Sequence, residues 1–175
     1  MEIFIPIVLA VFFSALFSGL EMAYLSINKL HVELERQKGG LAYRSLGYLM
    51  DRPAPFIAAI LVGNNVALVL YGNYMHRWME PIFTGWGAWE YIILLLETSV
   101  STLIILVFAE FLPKVLFRQN AEGLMSWLSI PAFLLYWILR LPSALMLGIS
   151  KFFLRFVFRL ELPEETTAFG RVELD

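Results

Sequence analysis

Residues 101–114 read Ser-Thr-Leu-Ile-Ile-Leu-Val-Phe-Ala-Glu-Phe-Leu-Pro-Lys, an apolar run that contains one carboxylate, Glu110, shortly before Pro113. An ionisable group in a membrane helix is costly unless a partner compensates its charge, so Glu110 predicts a functional site. Pro113 has no amide N–H, which leaves the carbonyl group of residue 109 without its helical donor. A carboxylate beside a freed carbonyl oxygen is the beginning of a cation-binding site.

The composition of the chain predicts a membrane protein. Of its 175 residues 59% are hydrophobic and 16% are charged, and the mean hydropathy is +0.72. A soluble domain of this size could not bury so much apolar side chain. The sequence has no cysteine, which excludes disulfides, thiolate metal sites and cysteine nucleophiles. No histidine or lysine lies at the depth of the membrane serines to activate one of them, so we do not expect an enzyme.

Three apolar runs are long enough to cross a bilayer, which requires about 20 residues. They are residues 3–27, 54–76 and 91–117. The polar segment between the first two has leucines near helical spacing and is divided by Gly39-Gly40, which predicts a hairpin of two short helices. The predicted fold is therefore an all-α membrane protein with three transmembrane helices per subunit and a helical hairpin after the first.

The distribution of lysine and arginine predicts the orientation. The first connection holds five of these residues, residues 77–90 hold only Arg77, and the remaining seven lie at the end of the third span or after it. The hairpin and the carboxyl terminus are therefore expected in the cytoplasm and the amino terminus outside. Residues 124–160 are apolar and basic, with an interruption at Arg140 and Pro142. A fourth crossing would place their basic end outside. An in-plane or re-entrant pair of helices avoids this, and we predict in-plane juxtamembrane helices.

Polar residues inside the first two spans fall into patterns. Ser14, Ser18 and Glu21 share one helical face. Gly63-Asn64-Asn65 lies near the middle of the second span. Each serine could simply bond its own helix, and the asparagines could form a clamp between helices. Their hydroxyl and amide oxygens, together with the carboxylate of Glu110, also form a hard ligand set, which suits Mg²⁺ or Ca²⁺ rather than zinc or copper.

Glu97 is a second acid in the third span, nearer its outer end. It could line an access path, or its side chain could extend to the outer membrane interface. The second reading is favoured.

Three motifs resemble those of the CNNM/CorC magnesium transporter family, in its DUF21 transmembrane domain. They are Ser-Ala-Leu-Phe-Ser-Gly-Leu-Glu-Met-Ala at residues 14–23, Ile-Leu-Val-Gly-Asn-Asn at 60–65, and Phe-Ala-Glu-Phe-Leu-Pro-Lys at 108–114. Their order and spacing match, so residues 1–160 are assigned to such a domain. The resemblance implies a homodimer with three transmembrane helices per subunit, intracellular juxtamembrane helices and an inward-facing cavity for dehydrated Mg²⁺.

The resemblance also implies the residues of the site. The metal ligands would be Ser14, Ser18, Gly63 through its backbone, Asn64 and Glu110; the supporting residues would be Glu21, Asn65, Pro113 and Lys114. One departure from the family motif is Ala109, which stands where glycine usually precedes the acid.

The function implied is Mg²⁺ efflux by alternating access, with Na⁺ as the candidate coupling ion, in a bacterial-type plasma (inner) membrane. The acidic residues 161–175 would be a linker toward cytosolic CBS domains, so no ATP site is expected in this chain, and neither is a nucleic-acid partner. The alternative is a membrane-embedded Mg²⁺-binding sensor or scaffold that regulates another transporter.

Overall fold

The computed structural model describes residues 3–84 and 89–156, and within them it contains helices and no strand. The elements are α1 Phe4–Ser26, α2 Lys29–Gln37, α3 Leu41–Met50, α4 Pro53–Thr84, α5 Glu90–Ile105, a π-helical segment Leu106–Phe111, α6 Leu112–Gln119 and α7 Ala121–Phe156. The all-α prediction is confirmed for these residues. The predicted linker 161–175 lies outside them.

Local sequence explains how α2 and α3 begin and end. The side chain of Asn28 accepts hydrogen bonds from the backbone N–H groups of Leu30 and His31, which caps the first turn of α2. Gly39 follows α2 with φ +94°, a conformation that favours glycine, and it lets the chain reverse. An ion pair of 3.2 Å between Arg36 Nη1 and Asp51 Oδ2 then links α2 to the end of α3.

The main apolar core joins α1, α2, α3, α4 and the first half of α7. Its most buried large side chains are Leu20, Val32, Leu46, Leu49, Phe56 and Met125. Aromatic rings connect the helices, with centroids 4.8 Å apart for Tyr24 and Phe56 and 5.4 Å apart for Tyr48 and Phe133. The first half of α7 is therefore part of the helical bundle.

The structure corrects the prediction for the residues after the third span. Two in-plane helices with a break at Arg140 and Pro142 were expected, but α7 is one helix of 36 residues that includes both Pro131 and Pro142. A proline removes one backbone hydrogen bond, and the helix continues through it here. The guanidinium group of Arg140 lies 4.8 Å from the centre of the Trp137 ring, which gives this charge a partner on its own helix.

Four helices of the described residues are long and apolar enough to cross a membrane, by length and composition. They are Phe4–Ser26, Pro53–Phe83, Tyr91–Gln119 and Ala121–Phe156. The first three correspond to the predicted spans, and the first of them is one residue shorter at each end than predicted. The fourth was not predicted as a span, so the three-span arrangement is not confirmed.

Candidate cation site

A hydrogen bond between α1 and α4 forms the centre of the candidate site. Ser14 Oγ donates to Asn64 Oδ1 over 2.7 Å, and Ser14 is fully buried. Buried polar groups are costly without partners, and in a membrane the two helices must supply these partners to each other. The sequence placed both residues in the site, and the structure brings them together.

Ser18 lies one helical turn after Ser14 in α1. It is 1% exposed, and its hydroxyl oxygen has no hydrogen-bond partner among the described residues. A serine in a membrane helix can usually bond the carbonyl group of its own preceding turn, which Ser18 does not do. Its oxygen is therefore free to accept a ligand at a buried position.

Asn64 and Asn65 have different surroundings. Asn64 is partly buried and bonds to α1, whereas Asn65 is exposed and its Nδ2 donates to the carbonyl oxygen of Leu61, 2.8 Å away on the same helix. The adjacent residues point to different faces of α4, as the helical period requires. Only Asn64 is joined to the serine face of α1.

Gly63 lies where three helices approach one another. A β-carbon at this position would come within 2.4 Å of the Phe17 ring on α1 and within 2.8 Å of Leu139 on α7. Gly63 therefore has a packing role in the structure. Its predicted role as a backbone ligand stays a prediction.

Glu110 belongs to the π-helical segment, which packs against α1. At the end of this segment the amide of Leu112 donates to the carbonyl group of Val107, and Pro113 follows as a buried residue at the start of α6. Ala109 is fully buried. Glu110 itself is partly buried, and no hydrogen bond or ion pair of the described residues joins its carboxylate to Ser14, Ser18 or Asn64.

The two charged residues with predicted supporting roles form a pair. Lys114 Nζ lies 3.6 Å from Glu21 Oε2, and both side chains are partly exposed. The pair joins α1 to α6 next to another close approach, where a β-carbon on Gly19 would meet the ring of Phe117 at 2.7 Å. Its contribution to stability is small, at about 0–1 kcal/mol for such a solvent-screened pair.

The donor set of this region suits a hard cation. In residues 3–84 and 89–156, no three side chains of histidine, cysteine, aspartate or glutamate form a group that could hold a metal ion. The candidate ligands are instead hydroxyl and amide oxygens with one carboxylate in the adjoining segment. Oxygen ligands of this kind favour Mg²⁺ or Ca²⁺ over zinc or copper.

Comparison with known proteins identifies the family. The sequence model of the family described as the cyclin M transmembrane N-terminal domain, CNNM, matches residues 5–175. The chain belongs to this family. The stretches 14–23, 60–65 and 108–114 all lie inside the match, so the family resemblance inferred from them is confirmed.

Two bacterial proteins resemble this CNNM chain over part of their length. A "UPF0053 protein" of Haemophilus influenzae is 27% identical over 120 residues, which are 69% of the chain and 27% of that protein. The "UPF0053 inner membrane protein YfjD" of Escherichia coli K12 is 28% identical over 101 residues, which are 58% of the chain and 22% of that protein. The matched stretches thus span about a quarter of each relative's length. With its four apolar helices, the CNNM chain is an integral membrane protein.

One polar pair of this CNNM domain was missed in the sequence. His76 Nδ1 on α4 lies 2.9 Å from Glu97 Oε2 on α5, and Glu97 is only 5% exposed. The expectation that Glu97 extends to the membrane interface is therefore wrong. The signal was available, because a histidine late in one span and an acid early in the next approach each other when a short connection makes the helices antiparallel.

Proposed function

We propose that this CNNM domain transports Mg²⁺ across a membrane. The observation that carries the proposal is the paired Ser14 and Asn64 with the unpartnered hydroxyl of Ser18 one turn away. A polar oxygen that is buried and unbonded costs free energy, and a bound cation would recover that cost. Family membership adds support, since all three residues lie inside the match to the family model.

The charge for Mg²⁺ would come from Glu110. The segment that carries it packs against α1, so a change of side-chain rotamer or a small helix movement could bring the carboxylate to the serines. A site that closes only around the ion suits transport, because an ion held permanently would not be released. The proposed mechanism is alternating access around this site, with efflux as the direction and Na⁺ as the candidate coupling ion.

The wider setting is also proposed. The domain would act as a homodimer in a bacterial inner membrane. The name of the Escherichia coli relative places that protein in the inner membrane. The amino terminus would lie outside and the carboxyl terminus in the cytoplasm, where CBS domains would follow. Only 11% of the most apolar stretch of the helix Tyr91–Gln119 is buried, so this helix offers apolar surface for a second copy or for lipid.

The test is Mg²⁺ binding followed by Mg²⁺ flux. Purified protein should unfold at a higher temperature in MgCl₂ than in a control salt of the same ionic strength, because binding only to the folded state raises stability. Glu110→Gln and Ser18→Ala should remove this effect. Glu122→Gln, which changes an exposed carboxylate at the start of α7, should keep it.

Flux separates transport from sensing. Liposomes that contain the wild-type protein and a Mg²⁺-sensitive dye should show Mg²⁺ movement, and liposomes with Glu110→Gln should not. Binding without flux would favour the alternative function, a sensor or scaffold. Normal flux by Glu110→Gln would refute the site.

A further inference from the structure

A second polar site lies between α4 and α5, away from the residues discussed above. Its centre is Glu97, whose Oε2 contacts His76 Nδ1 at 2.9 Å. The other carboxylate oxygen, Oε1, is fully buried and has no hydrogen-bond partner among the described residues. Glu97 is only 5% exposed. An unbonded oxygen on such a buried carboxylate costs free energy, because it has lost its contacts with water.

Glu97 lines a cavity of about 380 Å³ between these two helices. Four other residues that line the cavity each carry a hydroxyl oxygen that could coordinate a cation. They are Tyr71, Thr98, Ser101 and Thr102. The hydroxyl group of Tyr71 donates its proton to the carbonyl oxygen of Ser101, 3.0 Å away, so that the phenolic oxygen remains an acceptor. Because one water occupies about 30 Å³, the cavity has room for an ion that keeps several waters.

We propose that this cavity binds an alkali cation, with Glu97 Oε1 as its charged ligand. The carboxylate brings one negative charge, and one monovalent cation balances it. A divalent cation would leave a net positive charge in a poorly polarisable environment, and burial of that charge would cost free energy. His76, with Nδ1–H as the donor, would hold Oε2, and a rotation of the carboxylate would turn the enclosed Oε1 toward the cavity. The remaining ligands would be hydroxyl oxygens and water, which are hard donors.

The cavity is separate from the proposed Mg²⁺ site. From Asn64 to His76 the chain advances twelve residues along α4, which corresponds to about 18 Å at the α-helical rise. The two sites also use different partners of α4, namely α1 for Asn64 and α5 for His76. Alkali-cation binding at Glu97 therefore does not depend on the proposed function.

The experiment measures thermal unfolding of the whole purified chain in detergent. NaCl or KCl replaces N-methyl-D-glucamine chloride at constant ionic strength, and the two arms show which alkali ion is preferred. The unfolding temperature of the wild-type protein should rise with the concentration of NaCl or KCl and approach a plateau. In Glu97→Gln the half-saturating concentration should rise about ten-fold or more, since a charged ligand is lost. Glu122→Gln is the matched control and should behave as wild type.

Two further variants keep the test decisive. Should Glu97→Gln fail to fold, the double variant Thr98→Val with Ser101→Ala retains the carboxylate and should still weaken alkali binding by about three-fold or more, through lost oxygen ligands. Glu110→Gln should lose the Mg²⁺ response and keep the alkali response, which separates the two sites. The proposal is overturned if sodium and potassium stabilise no more than N-methyl-D-glucamine. It is equally overturned if Glu97→Gln or the double variant responds as wild type does.

Discussion

Neighbouring residues with the same side chain can have unrelated functions when they lie on a helix. Asn64 joins α4 to α1, whereas Asn65 bonds the preceding turn of its own helix. From the sequence alone, the helical period shows that two adjacent asparagines cannot both face one partner helix. It could not choose which of them faces α1, because that choice depends on the rotation of α4 about its axis, and packing against several helices at once sets that rotation.

The bond between Ser14 and Asn64 should be measurable as an energetic coupling. A double-mutant cycle with Ser14→Ala and Asn64→Ala should give about 1 kcal/mol, the typical value for a hydrogen bond between membrane helices. The same cycle with Asn65→Ala should give no coupling, since Asn65 does not contact Ser14. The measurement is reversible unfolding in detergent. Equal coupling in both cycles would contradict the structure.

Gly63 should be intolerant of even one added methyl group. Gly63→Ala would push a β-carbon into Phe17 and Leu139, and such overpacking costs about 1–3 kcal/mol. The control is Gly72→Ala on the same helix, where no atom lies within 4 Å of the added carbon. That variant should be neutral or slightly stabilising, because alanine favours the helix. Thermal unfolding of the two variants side by side checks the difference.

The π-helical segment is the element that the sequence indicated only indirectly. Pro113 predicted a disturbed hydrogen-bond pattern near Glu110, and the structure has a wider helical turn there, Leu106–Phe111. Segments of this kind often lie at functional sites. The local chemistry of proline was readable from the sequence. The sequence did not show whether the helix would form a kink, a break or a wider turn at this proline. These conformations differ little in energy, and tertiary packing decides among them.

Pro113→Ala should impair the cation site more than the fold. The new amide N–H could bond the preceding turn, which would favour a regular α-helix and change the direction of Glu110. We expect the Mg²⁺-dependent rise in unfolding temperature to shrink by several-fold, while the protein without Mg²⁺ still unfolds cooperatively. Pro131→Ala, within α7, is the control and should keep the full Mg²⁺ response. An unchanged response in Pro113→Ala would show that the wider turn does not position the acid.

At the scale of the whole molecule, the sequence defined the helical class and the first three apolar helices, and it failed on α7. The failure has a physical cause. Arg140 and Pro142 suggested interruption, yet Trp137 accommodates the arginine and the helix continues through both Pro131 and Pro142. The pairing of His76 with Glu97 was also missed, because it joins two helices across a connection and neither residue alone has a motif.

The location of the end of α7 can be determined directly because the chain has no cysteine of its own. At about 54 Å, 36 residues of α-helix exceed the membrane core of about 30 Å. The end of α7 carries Lys151 and Arg155, which favour the cytoplasmic side. A single cysteine at the exposed Ser150 should therefore react with an impermeant maleimide only from the cytoplasmic side. Reaction from outside would establish α7 as a fourth crossing.

The wider turn between α5 and α6 has a consequence for insertions and deletions during evolution. Loss of one residue from a regular α-helix rotates everything beyond it by about 100°, which would separate pairs such as Glu21 and Lys114. Within Leu106–Phe111, loss of one residue would instead return the turn to ordinary α-helical winding and leave the flanking faces nearly in phase. This segment is therefore the place where the length of the third apolar helix can vary while its neighbours keep their contacts.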